Sequence, residues 1–266
     1  MRQPIPVFVI NLDRRPDRRD FMASQLDAMG VAWERVPAID AAAVSDAELA
    51  RDVALEGHVI RMGRGSQACA ATTLALFRRI AAGEAPAAVV VQDDTELSPD
   101  LAAFVADPGW IPDGVGIVQF EKWSARASTK LLGPALGEAP VAGRTIRRLH
   151  SRTGGAGCFL VTRAAAARLA EAAPPMRFPI DHLLFNLNLS PVARALGVAI
   201  VVPALARQAW DRFSSDIGPT TRAQQKSLAG RLRRGWYEIN LLPAQLAAMA
   251  FRGARLRPVA YAERTS

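Results

Sequence analysis

One run of residues constrains this chain more than any other. Ala87-Ala88-Val89-Val90-Val91 follows Pro86 without a polar break and ends in Gln92-Asp93-Asp94. A strand that is uniformly apolar and largely β-branched is buried on both faces, which places it centrally in a sheet covered by helices on each side. The fold class is therefore α/β. The two carboxylates fall at the C-terminal end of that strand, where open α/β sheets bind ligands. Adjacent anions repel, so such a pair calls for a cation, commonly a metal. The plainer alternative is a turn that caps the helix after Ser98-Pro99.

The rest of the pattern agrees with that class. Val7 to Ile10 reads as a first buried strand, and Pro16 sits where a first helical turn accepts proline. Phe21, Met22, Leu26 and Met29 follow at helical spacing, with Gly30 as the stop. Trp33 to Val36 is a second strand. Ser45 with Glu48 is a capping box. Gly63 to Ser66 reads as a loop before a helix over 68–82. Val115 to Phe120 is a strand, and 121–153 a polar stretch of hairpin and loops. Gly154-Gly155-Ala156-Gly157 precedes a strand over 158–161, and Thr162 caps an alanine-rich helix. A helix over 180–188 and a last strand over 198–202 complete the alternation. The expected organisation is one α/β domain over 1–217 with a mostly parallel central sheet, followed by a helical, basic extension over 218–266.

Composition enters through charge and cysteine. The chain has 266 residues and a net charge of +8. Nine Lys/Arg against two acids from Arg222 onward account for +7 of it. A basic segment beside apolar residues suits an anionic surface: membrane lipid, a phosphorylated glycolipid or nucleic acid. Leu242, Leu246 and Met249 recur there at helical spacing. Cys69 and Cys158 have no metal-ligand spacing and read as reduced thiols in a reducing compartment. No run approaches the roughly 20 apolar residues that cross a bilayer, and the first apolar run is too short for a signal peptide. The expectation is a cytoplasmic protein, at most peripheral on the inner membrane face.

Several blocks share a resemblance. Val9-Ile10-Asn11-Leu12-Asp13-Arg14-Arg15-Pro16-Asp17-Arg18-Arg19 resembles the opening of glycosyltransferase family 25, the lipooligosaccharide glycosyltransferases related to collagen galactosyltransferases. Arg35 to Asp40, Cys69 to Ile80, Val89 to Asp94, Gly157 to Leu169, Phe178-Pro179-Ile180-Asp181 and Pro203 to Gln208 with Ser214 to Ile217 are similar to later blocks, in order. The resemblance implies a GT-A-like fold, a nucleotide-sugar donor (UDP-galactose favoured), a manganese or magnesium ion, a saccharide or glycolipid acceptor, and inversion at the anomeric carbon. It implies Asp94 as metal ligand, with Asp93 sharing the metal or holding the donor. Asp181 is then the base, Asn11 and Asp13 read the nucleotide, and Gly155 lets backbone approach the donor. Two departures stand out. Gln92 replaces the family's glutamate, and Ser66 to Thr73 lacks the Ser-His pair common after the family's cysteine.

Each residue also has a plainer role. Asp181 suits a helix N-terminus, Asn11 and Asp13 suit turns, and the Arg14-Arg15-Arg18-Arg19 cluster suits a salt-bridged helix face as well as a phosphate. Rival classes are a degenerate glycosyltransferase-like binding protein and a nucleic-acid-binding module. The second lacks a reading motif, so nucleic acid is not expected as a partner. A methyltransferase would need a glycine-rich loop where Asn11-Leu12-Asp13 stands.

Overall fold

The structure is a computed structural model and describes residues 3–123, 127–214 and 228–265. Its first half alternates as the hydrophobic pattern dictates: β1 (Val7–Asn11), α1 (Pro16–Ala28), β2 (Trp33–Pro37), α2 (Asp46–Leu49), α3 (Arg64–Ala82) and β3 (Ala87–Gln92). Next come β4 (Thr95–Leu97), α4 (Leu101–Ala106), β5 (Ile117–Gln119), β6 (Glu121–Lys122), β7 (Ser128–Ala135) and β8 (Thr145–Leu149). The chain continues through β9 (Cys158–Thr162), α5 (Arg163–Ala172), α6 (Ile180–Phe185), α7 (Pro191–Leu196), β10 (Val198–Val202), β11 (Ala206–Gln208), α8 (Leu228–Phe251) and β12 (Arg255–Val259).

Nine of these strands form one sheet in the order β12-β7-β8-β10-β5-β9-β3-β1-β2. β1 pairs in parallel with both β2 and β3, while β9 runs antiparallel to β3 and β5. The sheet is therefore mixed, not mostly parallel: beyond β3 most neighbours run opposite to one another. Alternation along the central strands feeds two separate cores. Phe8, Ile10, Ala88 and Val90 join a layer with Phe77, Leu74 and Leu169, beneath α3 and α5. Val7, Val9, Val89 and Val91 join the opposite layer with Met22, Leu26, Leu101 and Phe104, beneath α1 and α4. Burial on both faces is what leaves Ala87 to Val91 without a polar residue.

Local signals fix several boundaries. Pro16 opens α1. The Ser45–Glu48 capping box forms in full, and the Thr162 hydroxyl accepts from the Ala165 amide at the start of α5. α3 begins at Arg64, so Gly63 is its N-cap and the expected loop over 63–66 is mostly helix. The polar stretch 121–153 resolves into β6 and the antiparallel pair β7–β8. β10 is not the last strand. β11 pairs with β4 and β6 in a separate three-stranded sheet, and β12 joins β7 at the edge of the main sheet.

The segment expected as a helical extension is helical in α8 and then returns to the body through β12. The fully buried Arg144 guanidinium secures that return. It donates to Asp100, Ser98 Oγ and the carbonyls of Pro203, Ala204 and Ala262. The expected boundary at 217/218 lies outside the described residues, as do Ser215 to Ile217, Arg222 and Lys226.

Candidate functional site

β1 and β3 are in register, Val9 opposite Val91 and Ile10 opposite Gln92. Their C-terminal ends therefore deliver Asn11 and Asp93 to the same place. Asn11 is buried, and its amide donates to Asp93 Oδ2 at 2.7 Å and to the Arg15 carbonyl at 2.9 Å. Arg35, from β2, donates to Asn11 Oδ1 at 2.8 Å and also pairs with the exposed Asp13. The buried Arg18, on the inner face of α1, reaches Asp93 Oδ1 at 3.1 Å and Asp94 Oδ2 at 3.5 Å. Asp93 thus has both oxygens engaged by the protein, and the amide of Asn11 is spent in holding it. The arginine cluster divides by facing. Arg15 and Arg19 make exposed pairs with Asp17 and Asp20, while Arg18 supplies the cation that the adjacent carboxylates require.

Asp94 is different. Its Oδ2 receives the long 3.4 Å contact from Gln208 Nε2, while its Oδ1 is buried with no hydrogen-bond partner among the described residues. Burial pushes its carboxyl above the usual range, with Arg18 opposing and Asp93 adding to the rise. Gln208 Oε1 is a second buried acceptor without a partner among the described residues. Among the described residues no three His, Cys, Asp or Glu side chains converge to hold a metal. One carboxylate oxygen and a neighbouring amide oxygen still fit a magnesium or manganese ion that draws its other ligands from a diphosphate and water. Asp93 is already committed, so Asp94 is the residue that fits such an ion.

A pocket opens beside this pair. Ile10, Leu12, Ala38, Ile39 and Ala68 line it, with Cys69, Arg14, Arg18, Asp93 and Asp94. Its lining combines apolar side chains with charged ones, which suits a base and ribose carrying phosphates. Asp181 and Glu121 are not among its lining residues, but both belong to the same electrostatic neighbourhood. The Cys69 thiol is pushed up to about 12 by burial and then by the fields of Asp181, Asp94 and Asp93. Asp181 sits in the first turn of α6, with Oδ1 accepting from the His182 amide at 2.9 Å.

Glu121 is wholly buried, and burial is the main reason its carboxyl is raised from 4.5 to about 8. The Gly157 amide, bonded at 2.5 Å, opposes that rise, and Asp94 and Asp181 add to it. Gly155 adopts φ +87°, and a Cβ there would lie 2.5 Å from Glu121 Oε2 and 2.7 Å from Trp123 Cβ. A Cβ on Gly157 would lie 2.8 Å from Thr95 Oγ1. The glycines are thus needed for close approach, Gly155 also for its backbone conformation.

Residues 4–184 match the model of glycosyltransferase family 25 (LPS biosynthesis protein). The chain belongs to that family. A relative described as a glycosyltransferase 25 family member of Aedes aegypti is 29% identical over 108 residues, covering 38% of this chain and 18% of that protein. The chain thus spans about a fifth of the length of this curated relative. Among solved structures, one similar chain is a glycosyltransferase involved in glycosylation of the major capsid of PBCV-1. It shows 10% identity and a TM-score of 0.39, over 89% of this chain and 99% of that one. Another is the inositol-1-phosphate CTP transferase of T. maritima, at 15% identity and a TM-score of 0.35, covering 86% and 76%. A third is an active-site mutant of LgtC, at 11% identity and 0.35, covering 90% and 96%. The assignment rests on the sequence and not on these structural likenesses.

The family's position before the paired aspartates is held here by Gln92. Its Nε2 points to Cys69 Sγ at 3.6 Å, so among the lining residues it adds an amide where the family pattern has a charge. Sequence reasoning did not single out Arg35 or Gln208, and named Arg18 only within a cluster. Arg18 sits at helical spacing from the buried Met22, the one signal that marked it as inward-facing.

Proposed function

We propose that this chain transfers a hexosyl group, with inversion, from a nucleotide-sugar donor to a saccharide or lipid-linked saccharide. A UDP-sugar is favoured, and galactose follows from the family resemblance. The observation that carries this reading is the buried Asp94 Oδ1, without a hydrogen-bond partner among the described residues, beside a pocket of apolar and charged lining in a family 25 chain. The pocket walls accept the nucleoside, and Arg14 at the rim accepts phosphate charge. Asn11, Arg35 and Arg18 fix Asp93 and thereby the backbone from which Asp94 projects. Asp94 and Gln208 would hold a divalent cation, which when bound supplies positive charge for the departing diphosphate. In the transfer, an acceptor oxygen bonds the anomeric carbon as the bond from that carbon to the phosphate oxygen breaks. The electron pair leaves with the nucleoside diphosphate, and Asp181 receives the acceptor's proton.

The supporting experiment is a screen of UDP-, GDP- and CMP-sugars for manganese-stimulated nucleotide release by the wild type and Asp94→Asn. The reading expects one nucleotide class to be turned over by the wild type and metal stimulation to vanish in the variant. Equal stimulation of both proteins overturns the role of Asp94. No turnover or binding of any donor favours the degenerate binding protein that Gln92 suggests.

A membrane setting for the acceptor is part of the same proposal. No described helix is long and apolar enough to cross a membrane. α8 nevertheless turns Trp236, Ile239, Leu242, Leu246 and Met249 outward, while Leu241 and Ala248 face the body. Arg252, just after α8, depresses the basicity of His150 and Arg148, and Arg257, in β12, that of Arg147, each after burial. Basic residues Arg252, Arg255 and Arg257 following a helix with exposed apolar side chains support docking on anionic lipid at a cytoplasmic membrane face.

A further inference from the structure

Two exposed indoles stand where the three-stranded sheet meets the site. Trp123 is 42% exposed and Trp210 47%. Their rings are 6.1 Å apart and nearly perpendicular, at 87°, and the Trp210 indole donates to the Trp123 carbonyl at 3.1 Å. The topology explains why they meet. β6 and β11 run parallel with Ala206 opposite Glu121, so both strands release their next residues at the same end of the sheet. β4 runs antiparallel to β11, with Gln208 opposite Thr95. That end is therefore the one at which Asp94 enters β4, and the Ala209 amide bonds the Asp94 carbonyl at 2.8 Å.

The pair also borders the other half of the site. The Cβ missing from Gly155 would fall between Trp123 and Glu121, and that missing from Gly154 would lie 3.9 Å from Asp181 Oδ2. Asp181, the glycine loop, Glu121 with Trp123, then Trp210 and Asp94 follow one another without a break. Two large exposed aromatics held rigidly by a hydrogen bond are not accounted for by packing alone. Glu121 Oε1, two residues before Trp123, is a buried polar atom with no hydrogen-bond partner among the described residues.

Resting on the transferase reading above, we infer that Trp123 and Trp210 form the acceptor subsite, a stacking corner for a pyranose ring. The ligand chemistry follows from the surface. A pyranose presents a face of C–H bonds to an aromatic ring and rims it with hydroxyls, and an indole supplies rigid apolar area at low entropic cost. A ring seated on this corner places its hydroxyl edge between Asp181 and the donor side at Asp94. The corner acts by position, so it governs acceptor binding, and neither indole lines the donor pocket.

The test reads saccharide binding without requiring turnover. Protein labelled with nitrogen-15 at its indoles is titrated with methyl glycosides of glucose, galactose and N-acetylglucosamine, and with lactose. The indole resonances of Trp123 and Trp210, assigned with Trp→Phe variants, are expected to shift saturably with at least one sugar while those of Trp33 and Trp110 stay still. Trp210→Ala and Trp123→Ala are expected to weaken that binding about tenfold or more, Trp210→Phe less, with uridine diphosphate binding unchanged in all three. The inference is overturned if no sugar moves either resonance while uridine diphosphate still binds. It is equally overturned if the alanine variants bind sugar as the wild type does, or if they merely lower the melting temperature. Loss of uridine diphosphate binding in the wild type strikes the donor assignment and not this subsite.

Discussion

The strand ends around Asp93 and the outer face of α8 handle unfavourable groups in opposite ways. At the first, Asp93 and Arg18 are buried, and both Asp93 oxygens are matched by donors from other elements, Asn11 from β1 and Arg18 from α1, with Arg35 from β2 holding Asn11 in turn. At the second, large apolar side chains remain in solvent and the helix runs on into Arg252, Arg255 and Arg257. Buried charge persists only when its partners are held in place, so the first region is rigid by necessity. Exposed apolar area in a single stripe has no such match among the described residues, and it is what supports the proposed docking on lipid.

The largest effect tests whether the acid cluster does chemistry or only structure. Asp181→Asn is expected to lower transfer by about 10² to 10⁴ while donor binding is kept, as for loss of a general base. Unchanged turnover in a folded variant would move the proton elsewhere. Next, Arg18→Met removes the cation shared by Asp93 and Asp94, and breaking such a buried pair costs about 3–5 kcal/mol. Denaturant melts would show it, and adding Asp93→Asn should recover part of the loss. If Arg18→Met is as stable as the wild type, the carboxylates are not held as described.

Glu121 provides a smaller and pH-dependent contrast. Its folded pKa is raised from 4.5 to about 8, so between those values the folded protein binds the proton that the unfolded chain has lost. Stability contributed by this group is full below 4.5 and falls as pH rises toward about 8. Glu121→Gln, which stays neutral, should flatten the decline of melting temperature across that interval. An identical decline in both proteins assigns it to other groups. The smallest effect concerns α8. Leu242→Glu with Leu246→Glu is expected to cut sedimentation with anionic liposomes several-fold and leave the melting temperature within a degree or two, because both side chains are exposed. A marked loss of stability would place this face in contact with the protein itself.

Much of the fold was legible because it rests on local rules. The apolar continuity of Ala87 to Val91, the capping box at Ser45, the Thr162 cap and Pro16 all report interactions completed within a few residues. Asp93, Asp94 and Asp181 were legible as types in a family-like order. Their division of labour was not, since Asp93 is spent by partners from 75 and 82 residues away in sequence.

By itself, the sequence determined an α/β body with acids at the end of its most buried strand, because hydrophobic periodicity and turn chemistry are properties of neighbouring residues. Strand direction beyond β3, the return of the chain through β12, and the corner of Trp123 and Trp210 were decided only in three dimensions. Antiparallel β9 and the separate β4–β11–β6 sheet arise from pairings between distant segments. The free energy of such a pairing depends on which surfaces are left to bury once the rest of the chain has folded, and no local window of residues contains that information.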